Sequence, residues 1–233
     1  DTYYEIENGN ALDQSNVIGE NERLQLLVEP ISPKVGTVLK ITINAILSLP
    51  NSYLSIANPC DREDFLIPVS QTSDPVSQSW QRMYSYQVLY SGKYLITLKP
   101  NASGVEPVSA NLHIDGANHC IKEANVNLPQ LTLCPGDSDC EQNSQIPQVG
   151  NPIEITISLV TTLDNAMLGQ FDACGKMQQI KYAKESETLW KAFYVPQTDG
   201  LHTISFIDTT NTLVFSSRVL HVAANTNKPS NCI

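Results

Sequence analysis

Val35-Gly36-Thr37-Val38-Leu39-Lys40-Ile41-Thr42-Ile43 returns as Val149-Gly150-Asn151-Pro152-Ile153-Glu154-Ile155-Thr156-Ile157, 114 positions further on. Behind the first copy, Ile41, Ile43 and Ala45 alternate with polar residues, and Ile153 to Leu159 matches Leu39 to Ala45. Side chains along a strand point to opposite faces in turn, so a period of two predicts a half-buried strand in each copy.

The stretch behind each copy also recurs in order. Asn165-Ala166-Met167-Leu168 matches Asn51-Ser52-Tyr53-Leu54, and Cys174 lies 114 residues after Cys60. Trp190 lies 110 after Trp80, while Tyr194, Gly200 and Leu220-His221-Val222 lie 108 after Tyr86, Gly92 and Leu112-His113-Ile114. Loop lengths that drift by a few residues over matching strands are the mark of a tandem duplication.

Within the first copy, Leu24–Val28, Lys40–Ala45, Tyr53–Ile56, Phe65–Val69, Trp80–Leu89, Tyr94–Leu98 and Val108–Ile114 read as strands, with turns at Pro50-Asn51, Ser91-Gly92 and Pro100-Asn101. Ser70 to Ser79 reads as a polar loop. About seven short strands with regular turn signals and no sustained helical period predict a β-sandwich. The predicted class is all-β, two tandem sandwich domains from an internal duplication. The expected organisation is an N-terminal acidic tail at 1–23, flexible or strand-donating, a first domain at 24–118, a linker with a local disulfide loop at 119–148, and a second domain at 149–233.

The net charge of −10 is concentrated outside the two domains. Asp1, Glu5, Glu7, Asp13, Glu20 and Glu22 oppose only Arg23 in the tail, and the linker is acidic too. With no basic patch, nucleic acid and an anionic membrane are poor partners. The apolar runs are a few residues long, too short to span a bilayer. The chain opens Asp1-Thr2-Tyr3-Tyr4, which fits an end left by removal of a leader and equally a chain cut elsewhere.

Six cysteines in a Pro-, Ser- and Asn-rich β chain imply disulfides and an oxidising compartment. Cys60 and Cys174 are equivalent positions, and Cys120 and Cys232 each follow the last strand of their unit. The duplication therefore pairs Cys60 with Cys120 and Cys174 with Cys232, leaving Cys134 and Cys140 as a local loop; a crossed scheme remains open.

Tyr194-Val195-Pro196-Gln197-Thr198-Asp199-Gly200-Leu201-His202-Thr203-Ile204 resembles the penultimate hairpin of filamin-type and related immunoglobulin-like repeats, where an aromatic-x-Pro run precedes a Gly and an alternating strand. Tyr86 to Ile96 is similar but lacks the Pro. The resemblance implies immunoglobulin-like sandwiches of the early-set type. The cysteine placement departs from the antibody-type core disulfide, and disulfides as such depart from intracellular filamins; the expected location is extracellular or at a cell surface.

No Gly-x-Ser-x-Gly elbow and no phosphate loop is present. His113 and His221 occupy equivalent strand positions and read as surface or cross-strand residues, and Asp61, Glu63 and Asp64 as a solvated acidic loop. Asp137, Asp139 and Glu141 match no calcium-loop spacing. Asn101-Ala102-Ser103 is a glycosylation sequon in a turn. No catalytic, metal or cofactor residue is assigned, and no enzyme activity is expected.

The expected function is an extracellular structural or adhesive protein, two sandwiches in a rod segment assembling head to tail into a filament. Its partners are itself or other extracellular proteins. The tail residues Tyr3, Tyr4 and Ile6 supply the contact by adding a strand to a sheet edge. The alternative is a carbohydrate- or ligand-binding module with Trp80 and Tyr84 as an aromatic platform for a glycan.

Overall fold

The computed structural model describes residues 3–5, 17–20, 24–46, 51–74, 76, 79–100, 106–120, 130–135, 146–210 and 212–227. Its strands fall into two sandwiches.

In the first, β3 (Leu24–Glu29), β4 (Val38–Ile46), β8 (Ser79–Gln87) and β7 (Ser70–Asp74) lie in that order in one sheet. β10 (Val108–Ile114), β9 (Gly92–Pro100), β5 (Ser52–Ala57) and β6 (Glu63–Leu66) form the other. The second sandwich repeats both orders. β11 (Gln130–Pro135), β12 (Ile153–Ser158), β16 (Leu189–Tyr194) and β15 (Tyr182–Lys184) make one sheet. β18 (Val214–Val222), β17 (Gly200–Asp208), β13 (Ala166–Phe171) and β14 (Met177–Ile180) make the other. Counted from β3 and from β11, the first, second, sixth and fifth strands of each unit share one sheet, and the fourth, third, seventh and eighth share the other.

The alternation seen in the sequence is what buries these strands. In β8, Trp80, Arg82, Tyr84 and Tyr86 point inward while the residues between them are partly exposed. Leu26, Ile41, Ile43, Leu54, Ile56, Ile96 and Leu98 fill the first core; Ile155, Ile157, Leu168, Trp190, Ile204 and Phe206 fill the second.

Three features differ from the sequence reading, and the tail, expected to be flexible or strand-donating, is described with them. β11 lies inside the stretch expected to be linker and pairs with β12, Leu133 opposite Ile155. It carries only two core-register leucines, Leu131 and Leu133, so its period is too short to read. β7 occupies the expected polar loop; both its faces are largely exposed, so it has no apolar alternation to signal it. The tail supplies two strands: β1 (Tyr3–Glu5) pairs parallel with β10, and β2 (Val17–Glu20) pairs antiparallel with β3. Lastly, the two sandwiches do not meet merely end to end as segments of a rod.

They pack along a seam. The outer face of β17 and β18 lies against the β5–β6 edge of the first sandwich. Ser205 Oγ donates to Phe65 O at 2.8 Å, and Phe65 N donates to Ser217 Oγ at 2.7 Å. Leu201 N donates to Asn51 Oδ1 at 2.8 Å, and Gln87 N to Thr212 O at 2.7 Å. Ile207 and Val214 of the second unit join the first unit's core cluster. β17 is consequently buried on both faces from His202 to Ile207. Gly169 in β13 leaves room for the Ile67 side chain, whose Cδ1 a Cβ there would overlap.

Candidate functional site

The turn after the third strand of each unit is built the same way twice. Asn58 Oδ1 accepts from Cys60 N at 2.9 Å and from Arg62 N at 3.3 Å; Asp172 Oδ1 accepts from Cys174 N at 3.0 Å and Lys176 N at 2.8 Å. A side-chain oxygen bonding the backbone two residues on is the Asx-turn habit of Asn and Asp. The residue after each cysteine takes a left-handed conformation, φ 57° at Asp61 and φ 81° at Gly175. Asp and Gly are among the residues that tolerate it.

This turn presents the cysteine. Cys60 forms a disulfide with Cys120, which follows β10; Ser91 N donates to Asn118 O at 2.8 Å and draws that exit segment alongside. Cys174 is also disulfide-bonded. Its expected partner Cys232, like Cys140, Asn101 and Ile6, lies outside the described residues, as do Asp137, Asp139 and Glu141. Cys134 falls in β11.

The aromatic platform is not present. Trp80 is 6% exposed and Tyr84 1%, both inside the first core. Alternation places the two on one face of β8, and that face turns inward because β8 is hydrogen-bonded on both edges and packed against the opposite sheet. Between them sits Arg82, itself 1% exposed. Its Nε donates to Gln71 Oε1 at 2.7 Å and its Nη1 to Ser52 Oγ at 2.8 Å. Its guanidinium carbon lies 4.3 Å from the Trp80 ring centre and 4.5 Å from that of Phe171 in the second unit. A guanidinium between two ring faces gains from both quadrupoles, most strongly where water is excluded. Burial pulls the Arg82 pKa down from its ordinary value. The aromatic enrichment therefore serves the seam between the units.

The acidic loop is also only partly solvated. Asp64 is buried; its Oδ1 accepts from Arg62 Nε at 2.6 Å and its Oδ2 from Tyr86 OH at 3.1 Å. Burial pushes its carboxyl above the ordinary range, against the pull of Arg62. Arg62 in turn reaches Val214 O in the second unit, so this ion pair also belongs to the seam.

His202 takes the place of Tyr94, and both do one job. Tyr94 OH donates to Tyr90 O, four residues back, at 2.9 Å; His202 Nε2 lies 2.9 Å from Thr198 O, also four back. A carbonyl can only accept, so Nε2 carries a proton; Nδ1 lies 2.7 Å from the Tyr194 hydroxyl, which also donates to Gln170 Oε1 at 3.1 Å. A tyrosine near the start of this strand, bonded to backbone just upstream, is the tyrosine corner of immunoglobulin-like sandwiches. In the second unit a histidine performs it.

Burial lowers the His202 pKa below the ordinary histidine value. The unfolded chain thus takes up this proton first as pH falls, and stability contributed by neutral His202 is complete above about pH 6.5 and lost below it. The loss runs at up to about 1.4 kcal/mol per pH unit. Thermal melts between pH 7 and pH 5 are expected to show this slope, and His202→Tyr to reduce it by one proton's worth while retaining the fold. An unchanged slope in that variant would mean that His202 does not titrate on unfolding.

Among the described residues no group of three or more His, Cys, Asp or Glu is placed to hold a metal ion, and no helix is long and apolar enough to cross a membrane. Tyr3, Tyr4 and Glu5 pair in parallel register with Ser109, Ala110 and Asn111, so two of the three expected tail residues lie in an added strand, on the β10 edge of their own chain.

No family model matches the sequence, and no curated protein matches it. Among solved structures, the chain is similar to the ectodomain of the teleost fish polymeric Ig receptor, at 12% identity and a TM-score of 0.26 over 83% of this chain and 94% of that one. A two-domain fibronectin type III segment of chicken tenascin matches at 14% identity and a TM-score of 0.26, covering 88% and 99% of the two chains. Yersinia pseudotuberculosis InvD matches at 11% and 0.27, covering 89% of this chain and 60% of that one. Scores this low leave the assignment to the strand pairing. The same two sheet orders occur twice over, with the corner bond of Tyr94 and His202 at the same place. By that topology the chain consists of two tandem immunoglobulin-like β-sandwich domains.

Proposed function

We propose that the chain is a non-catalytic extracellular structural module that joins to further copies of itself through its N-terminal segment. The observation that carries this is the parallel pairing of Tyr3–Glu5 with β10. A short segment ahead of the first sandwich is competent to extend a sheet edge, and main-chain hydrogen bonding of this kind transfers readily from one chain to another. The disulfide between Cys60 and Cys120 supports an oxidising, extracellular setting. Cys174–Cys232 and Cys134–Cys140 pairing and a glycan at Asn101 belong to the same proposal, and peptide mapping without reduction tests them together.

The sugar-platform alternative has lost its basis, since Trp80 and Tyr84 are not available to a ligand.

Deleting residues 1–22 tests the assembly. Sedimentation of the whole chain is expected to show association that rises with concentration, and the truncated chain is expected to stay folded and monomeric. Association undiminished by the deletion would remove the tail from the proposal.

A further inference from the structure

The seam shows what one sheet edge of this chain can hold, and the same edge recurs in the second unit. β6 and β14 are equivalent in register: Phe65 pairs with Ser55, and 114 positions on Gln179 pairs with Gly169. The Phe65 main chain faces away from β5. Its N–H donates to Ser217 Oγ and its C=O accepts from Ser205 Oγ, so hydroxyls of the second unit cover that edge. The same register turns the Gln179 main chain away from β13, and Met177, two residues back, repeats that direction. Among the described residues β14 ends its sheet, and no group outside β13 bonds to these main-chain atoms. Met177, Gln178 and Gln179 are all exposed.

The faces of β14 follow from its partner strand. Leu168 and Ile180 pair within the core, whereas Gly169, opposite Gln179, turns its outer side to Ile67. Gln178 therefore shares the inner side with Ile180, and Met177 shares the outer side with Gln179. Tyr182 packs on the core again, which leaves the exposed Lys181 on the outer side. Lys176 is exposed just before the strand. Among the described residues neither ammonium group meets a carboxylate. Lysines on an edge ordinarily keep other strands off. They repel a basic strand and favour one that brings acid.

The N-terminal stretch Asp1-Thr2-Tyr3-Tyr4-Glu5-Ile6-Glu7 carries three acids and no base. On its own chain Tyr4 pairs with the buried Ala110, and Tyr3 and Glu5 pair with the partly exposed Ser109 and Asn111. Laid parallel on β14 with Tyr3 opposite Met177, the same alternation sets Tyr4 and Ile6 opposite Gln178 and Ile180 on the inner side. Glu5 then falls opposite Gln179 and Glu7 opposite Lys181, all four on the outer side.

We propose that the β14 edge at residues 177–181 accepts the N-terminal segment of a second copy as an added strand, with Lys181 favouring it by charge. This rests on self-assembly through the tail and names its acceptor. Moving the segment from β10 of its own chain to β14 of the next keeps the ladder parallel and the same residues on the core side. Because donor and acceptor lie at different places on the molecule, the contact is heterologous and propagates unless it closes into a ring.

A fluorescent synthetic peptide of residues 1–12, titrated into the whole chain, tests this by anisotropy. Saturable binding is expected, weakened by added salt and weakened about five-fold by K181E. Gln179→Pro removes the outward N–H from an edge strand, where proline is tolerated, and is expected to weaken binding about ten-fold. A peptide carrying Glu7→Lys is expected to reverse the charge preference, binding K181E better than the unaltered chain. The melting temperature of each variant guards against a folding defect. Absence of binding, or binding indifferent to both Gln179 and Lys181, overturns the proposal. If deletion of residues 1–22 abolishes association while peptide binding ignores both residues, tail-driven assembly stands and the β14 assignment falls. If the truncated chain still associates while peptide binding follows them, the edge is an acceptor and the tail does not drive assembly.

Discussion

Replacing Arg82 with alanine is expected to cost about 3–5 kcal/mol of stability, the largest effect of any single substitution in the seam. The change empties a volume between Trp80 and Phe171 and leaves Gln71 Oε1 and Ser52 Oγ without this donor. Ser52 is buried, so losing a hydrogen bond there adds to the cost of the cavity, whereas the exposed Gln71 turns to water. Arg82→Met separates the contributions. It restores much of the volume without the charge, and apolar replacement of a buried ion is often nearly neutral, so it is expected to lose less than half as much as alanine. Urea unfolding followed by tryptophan fluorescence suits both variants, because Trp80 lies beside Arg82. A loss below about 1 kcal/mol for the alanine variant would mean that the guanidinium contributes little beyond its own desolvation.

Removing the Cys60–Cys120 bridge is expected to cost about 4 kcal/mol. The two residues are 60 apart in sequence, and cross-linking a loop of that length restricts the unfolded chain by roughly this amount in the chain-entropy account. The double replacement Cys60→Ala with Cys120→Ala avoids leaving a lone thiol. Its effect is predicted to begin in the first sandwich, where the bridge ties the turn after β5 to the segment leaving β10. Proteolysis under mild denaturation should then cut between residues 61 and 119 before it cuts β12 to β18. Equal melting temperatures for the oxidised protein and the double variant would refute the stabilising role.

Much of the fold is legible in the chain because half-buried antiparallel strands write their environment into alternate residues. Ile41 and Ile43, and Ile155 and Ile157, need no tertiary information to be placed. β7 and β11 escape such a reading for opposite reasons. The first is an edge with two wet faces and has no pattern to show. The second buries Leu131 and has Leu133 in the same register, too few residues to establish a period within an acidic stretch.

The site is less legible. Alternation puts Trp80, Arg82 and Tyr84 on one face of a strand but cannot say whether that face turns to water or to the core. An arginine in the series argues for water. Its burial depends on Phe171, 89 positions away in the other unit, and no local pattern announces such a partner. Asp64 misleads in the same way, since its neighbours Asp61 and Glu63 are exposed and only Arg62, Tyr86 and the second sandwich make its position habitable. The equivalence of Tyr94 and His202, by contrast, is visible at once as a matched position. The work of their polar atoms is not.

The double burial of β17 ties the fates of the two sandwiches. Thr203, Ser205 and Ile207 face the neighbouring unit, while His202, Ile204 and Phe206 face their own core. The strand cannot be exposed on one side without hydrating small hydroxyl groups and an isoleucine that the contact now shelters. A chain severed in the 121–129 stretch would therefore yield a second half with a sticky, half-polar wall rather than an independent bead. Duplication here produced a fused pair in which each member supplies part of the other's skin.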